Sequence, residues 1–213
     1  MAAIEQVVAE TPLSRLESLV DPGTLHLIRT AVGDGVVAAS GRVLGRPVFC
    51  WAQDGRFKGG SLGAAGGSTI TRVFEMANRA GAPVVCFPES GGARVQEGAA
   101  GLAAYGAIFR AEATARVPVI TVVAGACAGG AAYGAAVGDL TISAGSDAKM
   151  FLTGPRVIQE VMGEEVTPID LGGVKVHSAN GVIHLAAEDD EEAAEYVRQV
   201  LSFLPDRLGE RPV

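Results

Sequence analysis

Apolar positions along this chain change period several times, and each change marks an element. From Leu13 they recur at Leu16, Leu19 and Val20, the spacing of a short helix, which Asp21-Pro22-Gly23 stops. Residues 36–42 and 47–51 read as two strands of a hairpin turned through Leu44-Gly45-Arg46. The glycine-rich residues 59–67 then give way to Ile70, Val73, Phe74 and Ala77, a helical spacing that runs up to Gly81. Residues 83–87 and 117–123 are β-branched apolar runs of strand length. Between them, residues 95–116 predict a helix with Leu102, Tyr105, Ile108 and Phe109 on its buried side. Gly98, Gly101 and Gly106 lower its helix propensity and are expected as close-approach positions against the sheet. Residues 128–137 predict another helix, 140–143 a strand, and Pro155 suits the first turn of a helix reaching about Met162. The chain closes on an amphipathic helix with Ala193, Val197, Val200, Leu201 and Leu204 on one face. Asp189, Asp190, Glu191 and Glu192 stand at its start, where the dipole favours acid.

Strand, turn and helix thus alternate after an opening hairpin, which predicts an α/β fold with mainly parallel strands and right-handed crossovers. Such sheets bind ligands at the carboxyl ends of their strands. Two glycine-bearing turns fall there: Pro88-Glu89-Ser90-Gly91-Gly92-Ala93-Arg94 and Gly125-Ala126-Cys127-Ala128-Gly129-Gly130-Ala131. Each is expected to open a helix, leaving backbone N–H groups free at the positive end of its dipole. Two such turns aimed at one point can hold a developing negative oxygen, such as a thioester enolate, without any side chain. The simpler reading of each Gly-Gly pair is a tight turn or a close helix–sheet contact.

Composition narrows the classes. The 213 residues suffice for one domain, and no composition shift divides them; residues 205–213 read as a polar tail. Hydrophobic residues make up 48% of the chain, yet no run approaches the ~18 uninterrupted apolar residues of a membrane helix. The apolar excess, mostly Ala and Val, fits tight packing and a face for a partner. A net charge of −7 with no basic stripe argues against nucleic acid. Residues 1–12 lack the basic and apolar regions of a signal peptide. Cys50, Cys86 and Cys127 lie in apolar segments, as expected of reduced thiols in a cytoplasmic core, and no Cys/His pair has zinc spacing.

The ordered series Gly59-Gly60-Ser61-Leu62-Gly63, Gly81-Ala82-Pro83-Val84, Ser90-Gly91-Gly92-Ala93-Arg94-Val95-Gln96-Glu97-Gly98, Cys127-Ala128-Gly129-Gly130-Ala131, Phe151-Leu152-Thr153-Gly154-Pro155, Gly163-Glu164-Glu165-Val166-Thr167 and Leu171-Gly172-Gly173, followed by His177 and residues 178–184, carries a resemblance. It is similar to the N-terminal, acyl-CoA-binding half of the carboxyltransferase β subunits of biotin-dependent acyl-CoA carboxylases, the propionyl-CoA carboxylase β type. The resemblance implies a crotonase-like (ClpP/crotonase) fold of repeated ββα units and an acyl-CoA thioester as substrate. It implies enolate stabilisation by peptide N–H groups at Gly91 and Gly92, with Gly129 and Gly130 as the second pair. It implies contact with CoA along Ser61, Leu62 and Gly63, with Ala93, Arg94 and Ala128 nearby. Biotin would enter only through partners, a C-terminal-type carboxyltransferase subunit and a biotin carrier protein. Homo-oligomers, trimer or hexamer, are expected by the same analogy. The sequence departs from the family at Gly67-Ser68-Thr69-Ile70, where a Lys is usual, at Ala126 in place of Pro, and at Gly134-Ala135 in place of Ser-Pro.

Several readings stay open at this stage. A carboxyltransferase working with a separate biotin half competes with a decarboxylase of a malonyl or methylmalonyl thioester, on CoA or a carrier protein. A non-catalytic thioester-binding module is a third. A hydratase or isomerase would need Glu89 or Glu97 as acid or base. A serine nucleophile at Ser90, with His177 or His184 as base, lacks the Gly-x-Ser-x-Gly frame. Arg94 suits either a CoA phosphate or an ion pair with Glu97 at i+3.

Overall fold

The computed structural model describes residues 11–29 and 34–212. The expectation for the N-terminal residues therefore lies almost wholly outside the described residues. A short helix α1 (Pro12–Leu19) precedes β1 (His26–Arg29) and the hairpin β2 (Val36–Val43) and β3 (Arg46–Gln53). There follow α2 (Ala64–Ala80), β4 (Val84–Phe87), α3 (Ala99–Ala113), β5 (Val119–Val123), β6 (Ala126–Ala128), α4 (Gly130–Val137), β7 (Leu140–Ala144) and β8 (Lys149–Phe151). The last elements are α5 (Pro155–Met162), α6 (Pro168–Gly172), α7 (Val174–Asn180), β9 (Leu185–Ala187) and α8 (Asp190–Phe203).

Seven strands form one sheet in the order β1-β2-β3-β4-β5-β7-β9. The first three are antiparallel, as the hairpin predicts, and every later pairing is parallel. Parallel strands need cover on both faces, and their side chains divide accordingly. Phe49, Trp51, Val84, Cys86 and Val119 face one core, shared with Ile70, Phe74, Tyr105, Ile108 and Ala131 of α2, α3 and α4. Val48, Cys50, Val85, Phe87 and Ile120 face the other, shared with Leu16 and Leu19 of α1 and Val197 and Leu201 of α8. The period of two along β3, β4 and β5 thus decides which helices cover which face.

The helix boundaries follow their chemistry. Thr11 caps α1 through the Ser14 N–H and Pro12 fills its first turn; Asp189 caps α8 through the Glu192 N–H, the reason the acidic run begins there. Gly81, at φ 65°, ends α2 in the left-handed conformation.

Three expectations for residues 95–116 need correction. The first glycine turn does not open directly into the helix: a single 3₁₀ turn, Val95–Glu97, intervenes, and Gly98 at φ 54° redirects the chain into α3. Leu102 is 69% exposed, because the buried stripe of α3 runs through Gly101, Ala104, Tyr105, Ile108 and Glu112. Gly101 is the close-approach glycine. A Cβ there would meet the Arg94 carbonyl at 2.8 Å, whereas Gly106 and Gly98 face open space. The approach is to the preceding turn, not to the sheet.

Candidate functional site

Both glycine turns sit at carboxyl ends of neighbouring parallel strands, β4 and β5, and a second layer of short pairings sews them together. β6 pairs in parallel with β8. Ser90 bridges Cys127 of β6, and Leu62 bridges Ala93. The Ser90 N–H donates to the Ala126 carbonyl at 2.7 Å, and the Ser90 carbonyl accepts from the Ala128 N–H at 2.8 Å. The Leu62 N–H donates to the Gly92 carbonyl at 2.9 Å, and the Arg94 N–H to the Leu62 carbonyl at 2.8 Å. Chain segments distant in sequence, including Ser61–Gly63 and both turns, thereby become neighbours. Gly92, at φ +99°, stands at the junction: a Cβ on it would lie 3.4 Å from the Ala128 carbonyl oxygen and 3.8 Å from the Gly129 Cα.

The amides of the two pairs differ in what they hold. The Gly91 N–H donates to the Gly59 carbonyl at 3.0 Å and the Gly129 N–H to the Phe151 carbonyl at 2.9 Å, so both are spent on backbone pairing. The Gly92 N–H donates to Ser90 Oγ at 3.1 Å. Gly130 and Ala93 are different: among the described residues neither N–H has a hydrogen-bond partner. Gly130 is the first residue of α4, with Gly129 as its N-cap at φ 58°. Its N–H is one of the orphan donors at the positive end of that helix. Among the described residues the amides without a partner are therefore one per turn, Ala93 and Gly130, where the sequence points to Gly91 and Gly92 in the first turn and Gly129 and Gly130 in the second.

Ser90 organises the first turn from inside. Its Oγ, buried at 1% exposure, donates to the Gly60 carbonyl at 2.6 Å, accepts from the Gly92 N–H, and lies 3.2 Å from the Tyr105 hydroxyl and 3.4 Å from Gln53 Nε2. Burial pushes the Tyr105 phenol up to about 12, so it stays neutral there. Neither histidine serves Ser90. His177 Nε2 bonds the Met150 carbonyl and His184 Nδ1 accepts from the Thr141 N–H. The serine-nucleophile reading thus has no base beside it. Ser90→Ala orphans the Gly92 N–H and a Tyr105 partner together, and should lower stability by about 2–4 kcal/mol in urea denaturation. A stability unchanged from wild type would contradict this hub.

The charged residues of the turn are ion-paired. Arg94, 5% exposed, bonds Asp34, Glu97 Oε1 at 2.9 Å and the Ser61 carbonyl at 2.6 Å. Arg94 makes the ion pair with Glu97 that the i+3 spacing allows. The Ala64 N–H, and then Arg94, hold the Glu97 carboxyl below its ordinary range. Glu89 Oε2 pairs with Arg15 at 2.7 Å, and Arg15 Nε also reaches Asp190 at 3.1 Å, joining α1, the turn and α8. Neither glutamate is a free acid or base. Gln53, Tyr105, Arg15 and Asp34 as supports of the turn were not legible in sequence, since no local spacing links them to it.

Around the turns the surface is apolar: Val95, Leu102, Tyr133 and Leu152 are exposed, and Tyr133 lies 4.7 Å from the ring of Phe109. A groove of about 960 Å³ between α2 and α3 begins at Ala64 and holds no residue of either glycine turn. Among the described residues no cluster of three or more His, Cys, Asp or Glu could hold a metal ion. No helix there is long and apolar enough to cross a membrane. Cys50, Cys86 and Cys127 are free and buried.

This combination of a mostly parallel sheet and two sewn glycine turns defines a class, the crotonase-like carboxyltransferase domains. The carboxyl transferase domain family matches residues 7–213, and the chain belongs to it. It is 44% identical over 185 residues to the propionyl-CoA carboxylase beta chain of Saccharopolyspora erythraea, an alignment covering 85% of this chain and 34% of that one. The chain spans about a third of the length of that relative. It superimposes on the transcarboxylase 12S crystal structure with hydrolyzed methylmalonyl-coenzyme A bound, a hexamer assembly, at a TM-score of 0.90 and 39% identity, covering 96% of this chain and 43% of the other. A chain of the MdcD–MdcE heterodimer of a Pseudomonas malonate decarboxylase superimposes at a TM-score of 0.81 and 31% identity, covering 95% of this chain and 89% of that one.

Proposed function

We propose that this domain binds an acyl-CoA thioester and stabilises its enolate during carboxyl transfer. A C-terminal-type carboxyltransferase half presents the biotin of a biotin carrier protein, and the assembly is a homo-oligomer of trimer or hexamer type. The observation that carries the reading is the contact between the two turns, each of which offers one unpaired N–H, Ala93 and Gly130. Carboxylated biotin, presented by a partner, would supply the carboxyl group: its N–C bond breaks as the new C–C bond forms at the substrate α-carbon, the α-proton passes to the freed biotin nitrogen, and the N–H groups of this chain hold the charge that develops on the thioester oxygen in between. Fixed N–H donors favour that charge without reorganising, and losing one such donor typically slows acyl chemistry by about 10²–10³-fold. The exposed apolar rim suits the non-polar parts of a thioester and a covering partner. A cytoplasmic location accompanies this reading, since three buried thiols remain free.

A second reading is decarboxylation of a malonyl or methylmalonyl thioester, in which loss of CO2 yields the same enolate. The malonate decarboxylase chain favours it, because the superposition covers 95% of this chain and 89% of that one, which belongs to a hetero-dimer. The same donors serve both directions.

Calorimetry with acetyl-, propionyl- and malonyl-CoA, followed by a CO2 assay with and without a C-terminal-type subunit and biotin, tests both. Biotin-dependent exchange supports transfer, and biotin-independent CO2 release supports decarboxylation. Failure of every thioester to bind, alone or with the partner, defeats both. Gly92→Ala places a methyl between the turns at a positive φ. We expect at least tenfold weaker thioester binding with a stability loss of only about 1–2 kcal/mol. Unaltered binding in that variant would remove the junction from the site.

A further inference from the structure

Behind the second turn lies a cavity of about 20 Å³, lined among others by Trp51, Gln53, Tyr105, Glu112, Gly130 and Gly134. Among the described residues two of its polar groups, Trp51 Nε1 and Glu112 Oε2, have no partner within hydrogen-bonding geometry, the Trp51 indole facing only the weakly accepting Cys86 thiol. Both residues are more than nine-tenths buried, Trp51 at 5% and Glu112 at 8% exposure. Glu112 lies two turns along α3 from Tyr105, on its buried stripe. α4 carries a glycine opposite its carboxyl: a Cβ on Gly134 would stand 3.0 Å from Oε2, closer than ordinary van der Waals contact. An isolated carboxylate in such surroundings is strongly disfavoured, and an unpaired indole N–H is costly. The volume admits one water, which needs polar partners of this kind.

We propose that Glu112 and Trp51 form a buried site for one proton and one shared water, directly behind the second glycine turn. Burial pushes the Glu112 carboxyl up to about 8. The other titratable groups facing it are Tyr105 on its own helix, Cys86 on β4 and Cys127 on β6, and burial raises all three. Glu112 is therefore the group in this pocket that ionises first. It acts as a positioning residue. Protonated, it leaves the positive end of α4 at Gly130 undiminished; ionised, it sets a negative charge one helical turn away. Affinity for an anionic oxygen at Gly130 then falls as pH rises through about 8, a consequence that rests on the thioester-binding reading.

Trp51 is the only tryptophan in the chain, so its fluorescence reports the site without any ligand. A pH titration of the wild type should show a fluorescence step near pH 8 that is missing from Glu112→Gln and Glu112→Met. Because the folded carboxyl holds its proton more tightly than the unfolded one, the contribution of Glu112 to stability is full below about pH 4.5 and is lost as pH rises through about 8. The melting temperature of the wild type should fall across that window, and that of Glu112→Gln should fall less. A step that is absent, or that survives both substitutions, overturns the proposal. Should neither variant fold, the wild type decides alone. A protonated-carboxyl band in its infrared spectrum near neutral pH, vanishing with the step, supports the site, and lack of that band overturns it. A crystal structure with the cavity dry overturns the shared water. If no thioester binds at any pH, the functional reading fails while the fluorescence step still decides the site. If a thioester binds equally well on both sides of the step, the coupling fails instead.

Discussion

Gly60→Ala should unfold this domain more readily than a methyl added at either glycine of the first turn, Gly91 or Gly92. Gly60 holds φ +67°, and a Cβ there would sit 2.2 Å from the Glu89 carbonyl oxygen and 2.8 Å from the Ser90 Cα. Both are backbone atoms of the first glycine turn, so no flexible side chain can give way. A left-handed φ alone costs a non-glycine residue about 1–2 kcal/mol, and overpacking adds about 1–3. The Gly60 carbonyl also anchors Ser90 Oγ and Gln53 Nε2. The expected result is a loss of about 3 kcal/mol or more in urea denaturation, together with collapse of thioester binding. Gly45→Ala is the control. Its φ of +77° is similarly positive, but nothing lies within 4 Å, so it should show the conformational cost alone. Equal losses in the two variants would mean that Gly60 is not wedged against the turn.

Arg94→Met is the second large effect. The guanidinium lies at 5% exposure among Asp34, Glu97 and the Ser61 carbonyl, and Asp34 itself is largely shielded, at 11%. Removing one partner of a buried pair leaves an uncompensated charge, and typical losses are about 3–5 kcal/mol. Arg94→Lys should recover part of this, since an ammonium supplies charge but cannot span the same acceptors. The double variant Arg94→Met with Asp34→Asn should lose less than the two single losses added together, because the orphaned carboxylate is gone. Denaturation midpoints decide this. A normally stable Arg94→Met that has lost only CoA affinity would restore the phosphate-contact reading.

Much of the fold was legible because its signals are local. The hairpin is announced by Leu44-Gly45-Arg46 between two strand patterns, α5 by Pro155, and the start of α8 by its acidic run. The parallel sheet followed from alternation of strand and helix. What sequence could not supply is lateral. β6 and β8 are three residues each, too short for any period to register, yet they align the two turns. The direction of each N–H was equally invisible. Gly91 and Gly129 carry the same residue type as Gly92 and Gly130, but their amides are claimed by Gly59 and Phe151, residues outside either turn. Leu102 misled because apolar character on a helix does not say which flank is covered. Glu112 reads as one more polar position in an alanine-rich helix until α4 is set beside it.

Arg15 grips both the turn through Glu89 and the first residue of α8 through Asp190, while α1 and α8 also share one face of the sheet. The two extremities of the described chain are thereby fastened to the loop that would meet a substrate. Trimming into either helix removes Arg15 or its Asp190 partner, and with it that tie to the turn. A clone that cuts into α1 or α8 should therefore be scored for ligand affinity as well as for yield.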